Sequence, residues 1–215
     1  MAKTGHIPVP TGPLDATLIE WGKNLTLFRV HPEVYGAVQF NPVNVGSARF
    51  SPLLRSNGTV VPTLYAGTTL DCALMETVFH DLPVTSGLKT VVKATHIAGR
   101  VRSSIRSKRE MSLIDLRSIA LHKLGLRRVD LIDTDASEYP ITRQWASALY
   151  EQFPAAEGMI WTSKQDDDAK AIILFEDRLR GSLDMIASSE SLLMPDGSAC
   201  VEVLDLALRL EANVV

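Results

Sequence analysis

Hydrophobic residues recur along this chain with two periods, two and about 3.6, and the contrast divides it into strands and helices. Leu14, Leu18 and Trp21 are spaced for one helical face, so Leu14 to Trp21 reads as a short amphipathic helix. Leu25 to Val30 alternates as a strand does, and Val60 to Ala66 does so again, with Pro62 marking an edge or a strand start. Between them His31 to Asn57 is rich in Pro, Gly, Asn and Ser, a long connection of the kind that more often carries function than not. Thr68 to about His80 predicts a helix with Leu70, Leu74, Met75, Val78 and Phe79 on its apolar face, stopped by Asp81-Leu82-Pro83.

Lys89 to Ile97 is β-branched and alternating and predicts a strand; Leu113 to Leu116 predicts a shorter one. Ile119 to Leu124 reads as a short helix ended by Gly125, and Ile141 to Phe153, behind Pro140, as a longer one closed by Pro154. Gly158 to Thr162 and Lys170 to Phe175 read as strands joined by a polar turn from Ser163 to Asp168. Val201 to Leu210 fits either a strand or a helix. With no repeat, low-complexity tract or linker, the chain reads as one α+β domain of about seven strands and four helices.

Composition narrows the classes. A 46% hydrophobic share in 215 residues is too high for a disordered chain. The longest apolar strings, such as Ala171 to Phe175, are strand-sized, so no spanning helix is expected. The N-terminus has no apolar core of a secretory signal, and Cys72 and Cys200 lie far apart without a ligand pattern. A soluble protein of the reducing cytoplasm, not associated with membranes, accounts for both. The net charge of −3 gives no basic footprint for nucleic acid. One local run, Arg100 to Arg109, holds five basic residues and reads as a solvated loop, with a non-enzymatic nucleic-acid-binding surface as the alternative.

Ordinary catalytic signatures are absent: no dinucleotide-binding glycine fingerprint, no phosphate-binding P-loop, no nucleophile elbow and no zinc-protease helix motif. None of the five histidines stands at a metal-ligand spacing, so no metal is expected. What remains is a set of polar residues at element edges. Arg29 interrupts the apolar LFRV strand, and must reach solvent or meet an anion. Arg49 follows small residues in GSARFSP, which let the backbone pass close to a ligand but equally suit a surface loop. Tyr65 ends a strand, where a core tyrosine with a satisfied hydroxyl is ordinary. Glu76 lies off the apolar face of its helix, on the side of Ala73 and His80, with His80 at a pairing distance of four residues. Ser163 opens the polar turn, a common place for serine.

In this order and context the residues resemble a family, the RES domain, named for its Arg, Glu and Ser. The matching stretches are LFRV (27–30), GSARFSP (46–52), LYAGTTLDCALMETVFH (64–80) and EGMIWTSKQ…AIILF (157–175), with YPITRQ (139–144) at the start of the late helix. The helix motif and the late serine turn are the most specific parts. One departure is visible: the family's usual Gly-Arg-Trp is Ala48-Arg49-Phe50 here, which keeps the charge and an aromatic ring of different size. The resemblance divides the chain into an N-terminal arm and short helix (1–24), a RES domain (25–176) and a C-terminal extension packed on the same domain (177–215).

The resemblance implies an α+β domain with a split mixed β-sheet core and flanking helices, similar to ADP-ribosyltransferase toxins. It implies the toxin half of a bacterial toxin–antitoxin pair, neutralised by an Xre-like helix-turn-helix antitoxin. Nucleic acid would be contacted only through that antitoxin, and the complex could hold more than one toxin copy. The implied reaction consumes NAD as substrate, cleaving the nicotinamide–ribose bond with water or phosphate as acceptor. The alternative is mono-ADP-ribosyl transfer to a specific protein. Carried over residue by residue, Glu76, Arg49 and Ser163 are the expected catalytic residues, and Arg29, Arg49, Tyr65 and Ser163 the expected NAD-binding ones. On this reading Glu76 stabilises the ribose cation, Arg49 and then Arg29 meet the pyrophosphate, Tyr65 meets the nicotinamide, and Ser163 sets orientation by hydrogen bonding. A nucleophilic serine is disfavoured, because no His-Asp partner accompanies it.

Overall fold

A computed structural model describes residues 7–80, 82 and 90–215. Strand β1 (Leu18–Trp21) is followed by β2 (Thr26–Pro32), the two-residue hairpin partners β3 (Leu53–Leu54) and β4 (Val60–Val61), β5 (Thr63–Gly67) and helix α1 (Leu70–Met75). Next come β6 (Thr90–Val92), helical turn α2 (Ala94–Ile97), β7 (Arg100–Ser107) and β8 (Met111–Asp115). Helices α3 (Ser118–Leu121), α4 (Arg128–Leu131) and α5 (Tyr139–Gln152) lead to β9 (Gly158–Thr162) and β10 (Lys170–Phe175). The chain ends with α6 (Glu176–Leu179), β11 (Leu183–Met185), β12 (Glu190–Ser191), α7 (Ser198–Arg209) and β13 (Ala212–Val214).

Nine strands share one mixed sheet in the order β1-β8-β9-β10-β5-β2-β7-β11, with β12 also on the outer edge of β7. Only β8 and β9 pair in parallel within it, and α3 to α5 form their crossover. The nearly unbroken apolar runs of β9 and β10, buried on both faces, explain why they sit mid-sheet. Met159, Trp161, Ala171 and Ile173 join one core under α5, with Trp145, Ala146 and Leu149. Ile160, Ile172 and Leu174 point to a second core with Leu27, Leu64 and Ile105. A third core packs α1 and α7 together through Leu74, Phe79, Val203 and Leu206. The α+β single-domain reading holds, with helices on a mixed sheet. Among the described residues no helix is long and apolar enough to cross a membrane.

Several elements differ from the sequence expectation. Leu14 to Trp21 is no helix: its last four residues are β1, paired to β8, and period two wins because Ile19 and Trp21 face the second core while Leu18 and Glu20 face outward. The basic run from Arg100 is no loop but β7, where Val101, Ser103, Ile105 and Ser107 point inward and the arginines alternate outward. Lys89 to Ile97 yields only a three-residue strand before α2, because Ile97 turns into the α1–α7 core; Lys89 lies outside the described residues. Pro62 splits the predicted strand into β4 and β5. Helix α1 stops at Met75 instead of His80, as the amides of Thr77, Val78 and Phe79 all converge on the Leu74 carbonyl. Asp81 and Pro83, read as its stop, lie outside the described residues. The ambiguous tail resolves as helix α7.

Two glycines allow backbones to meet. A methyl group on Gly67 would come within 2.9 Å of the Ala73 amide nitrogen, so glycine lets α1 press against β5. A methyl group on Gly158 would collide with the Ile173 carbonyl oxygen in the paired strand β10 and crowd Leu113 on the other side. Gly158→Ala therefore should destabilise the domain by about 2 kcal/mol or more, the range of core overpacking, measured as a lower urea midpoint with unchanged slope.

Candidate active site

A cleft of about 390 Å³ opens where the ends of β2 and β5 meet the 41–51 loop and the end of α1. Arg29, Arg49, Tyr65 and Glu76, four of the five residues singled out from sequence, line it together. The fifth, Ser163, lies beneath it and is fully buried.

Arg29 is 6% exposed, in the middle of β2. Its Nη1 donates to the carbonyls of Gly36 (3.2 Å) and Ala37 (2.8 Å), which folds the following loop back onto the strand. Burial lowers its pKa to about 10, so it is still charged at neutral pH. Arg49 is 5% exposed, and its hydrogen bonds also run from Nη1 alone: to Thr134 Oγ1 at 2.6 Å, and more loosely to the carbonyls of Thr134 (3.4 Å) and Leu131 (3.5 Å). Its guanidinium carbon stands 5.4 Å from the centre of the Tyr139 ring, an aromatic face that favours a cation. Thr142 Oγ1 holds the Arg49 carbonyl. Among the described residues neither arginine pairs with a carboxylate. Two buried positive charges therefore share one cleft, each tethered through a single nitrogen.

Glu76 caps the C-terminal end of α1, whose start is fixed by Thr69 accepting the Cys72 amide. The Ser163 hydroxyl donates to Glu76 Oε1 at 2.7 Å and accepts the Gln165 amide at 3.1 Å. Ser163 is thus hydrogen-bonded to the carboxylate and is not among the residues that line the cleft. The reason is strand geometry: its amide still bonds to the Ala169 carbonyl, which keeps the side chain on the inner face. Arg128 holds this turn from outside, donating to the carbonyls of Thr162 (3.1 Å) and Ser163 (2.7 Å) while Asp133 accepts from its Nε at 2.9 Å. Tyr65 Oη accepts the Phe50 amide at 3.1 Å, and burial pushes its phenol up to about 12, so it is a neutral group. Burial, and then the charge of Glu76, likewise push the Cys72 thiol up to about 12.

The family profile of the RES domain matches residues 26–195. The chain belongs to the RES domain family. A chain from the crystal structure of the M. tuberculosis MbcT–MbcA toxin–antitoxin complex has the same fold, with a TM-score of 0.58 and 18% identity, over 83% of this chain and 88% of that one. No curated protein sequence matches.

The RES cleft is also lined by His31, Tyr35, His80, Tyr139 and Trp161, none of which the sequence put forward as an NAD-site residue. His80 is hydrogen-bonded to Tyr139 Oη (3.2 Å). His31 lies in β2, two residues beyond Arg29. Its Nδ1 faces the Pro32 carbonyl (3.0 Å) and so carries the proton, while Nε2 accepts from Ser103 Oγ (2.8 Å), itself bonded to Ser189 Oγ (2.7 Å). The signal for it was the continuing alternation of LFRVHP, which carries β2 two residues beyond Val30.

Burial, with Arg29 adding to it, lowers the His31 pKa to about 4. The unfolded chain, with a histidine pKa of about 6.5, then binds the proton that the folded chain refuses. Stability should fall as pH drops from about 6.5 towards 4 and this contribution should level off below. Urea midpoints across that range check it, and His31→Gln should flatten the trend.

Proposed function

We propose that this chain is the toxin of a bacterial toxin–antitoxin pair and that it depletes NAD by cleaving the nicotinamide–ribose bond. The observation that carries the reading is the pairing, in one cleft, of two buried guanidinium groups that lack carboxylate partners with one carboxylate held by a buried serine. Unpaired buried cations are costly, and the cost is recovered when an anion binds. A dinucleotide supplies that anion in its pyrophosphate, which suits guanidinium forks. Family membership and the fold shared with a chain of a toxin–antitoxin complex support the toxin role and an antitoxin partner. An Xre-like helix-turn-helix antitoxin fits the family, and the net charge of −3 leaves DNA contact to that partner.

The chemistry asks little of an acid. The C1′–N1 bond breaks with its electron pair going to the pyridinium nitrogen, so nicotinamide departs neutral. The ribose left behind is oxocarbenium-like, and Glu76 stabilises its positive charge. An acceptor oxygen of water or phosphate then forms the new C1′–O bond and releases its proton, giving ADP-ribose or its 1″-phosphate. Ser163 aims Glu76 by donating to one oxygen, leaving the other for the ribose. The neutral Tyr65 offers an aromatic surface for the nicotinamide ring.

Incubating the purified chain with NAD, with and without phosphate, tests the proposal by the mass of the products. Free ADP-ribose or its phosphate supports it, an adduct on protein would redirect it to transfer, and intact NAD under all conditions overturns it. Glu76→Gln should lower kcat at least ~100-fold with an unchanged melting temperature, the scale of losing a transition-state charge contact. Arg49→Ala should instead raise KM about 10-fold or more with a smaller effect on kcat, as expected for a ground-state binding contact.

A further inference from the structure

Trp161 lies in β9 opposite Ala171 of β10, and it lines the cleft while being only 1% exposed. Two rings fix it edge-on: Phe50, with centroids 5.1 Å apart, and Tyr65, at 6.3 Å. Its indole nitrogen is buried and, among the described residues, has no hydrogen-bond partner. Tryptophan N–H groups in protein interiors ordinarily find an acceptor, and an unmade bond there is destabilising. Trp145 conforms, donating to the Pro8 carbonyl at 2.7 Å. Trp21 shares the unpartnered nitrogen but stands on the edge strand β1 and takes no part in the cleft. Trp161 is thus the tryptophan of the cleft wall with a donor in reserve.

Its position says what the donor is for. Trp161 and Ser163 are two residues apart along one strand line, so the pleat sends both to the same face about 6–7 Å apart. Ser163 marks the Glu76 carboxylate, which on the NAD reading sits at the anomeric carbon. One step along the strand from that carbon is the reach of a pyridinium ring bearing its carboxamide. Tyr65, beside Trp161, gives that ring an aromatic wall. We propose that the indole N–H of Trp161 donates to the carboxamide oxygen of the nicotinamide, making Trp161 a specificity-determining residue of the cleft.

The inference rests on the NAD reading, and the test separates the two. Trp161→Phe keeps the ring and removes the donor. With NAD, kcat/KM should fall about 5- to 30-fold, the range of one buried hydrogen bond. With the analogue dinucleotide whose pyridine ring lacks the carboxamide, the variant and the wild type should be equal. The melting temperature of the free variant should be unchanged or higher, because an unsatisfied donor is gone. Equal losses on both dinucleotides, or no loss on either, overturn the inference. Independently, nicotinamide alone should shift the Trp161 indole ¹H–¹⁵N signal of the wild-type chain. No shift overturns the inference even if NAD is consumed; a shift without NAD turnover sinks the cleavage reading and keeps the nicotinamide contact.

Discussion

The cleft depends on the burial of Arg29 and Arg49 without counter-ions. Each guanidinium gives only one nitrogen to backbone or hydroxyl oxygens, which satisfies direction but leaves the charge uncompensated. Such a site is maintained only where surrounding structure over-determines it. Here that structure is the loop after β2 folding back on Arg29, and the 131–134 loop with the Tyr139 ring enclosing Arg49. The low pKa of His31 belongs to the same constraint, since a second titrating cation beside Arg29 would add to the uncompensated charge.

Opposite these cations stands one carboxylate whose placement is indirect. Glu76 is held by Ser163, Ser163 by the strand-like backbone that follows β9, and that backbone by Arg128. Polarity is thus divided. Charges of one sign come from β2 and its following loop, and the charge of the other sign from α1 and the β9–β10 turn.

Much of this was legible in sequence because periodicity and edge chemistry act locally. The apolar runs at 158–162 and 170–175 announced both strands, while their division between two cores emerges only from the fold. Arg29, Arg49, Tyr65 and Glu76 stood out as polar residues at element ends, and the fold brings them to one cleft. Where reading failed, a longer-range contact outweighed the local signal. Leu18 and Trp21 suit a helix, but pairing with β8 reverses the preference. The arginines of β7 suggested solvent, yet Val101 and Ile105 between them carried the sheet signal. Trp161 and His31 were invisible as site residues because what distinguishes them is a missing or tautomer-fixing hydrogen bond, a property of three-dimensional surroundings alone.

The strand order also has a bearing on biosynthesis. β9 and β10 bridge the β1–β8 pair and the β5–β2–β7 block, and no other strand joins the two groups within the nine-stranded sheet. A polypeptide leaving the ribosome has both arginines and Glu76 early, but the wedge that unites its halves arrives only with residues 158–175. Until then the sheet stays in two pieces, with neither Trp161 nor the Ser163 prop in place. A chain that still lacks residues 158–175 therefore lacks the Trp161 and Ala171 part of the cleft wall and the serine that holds Glu76.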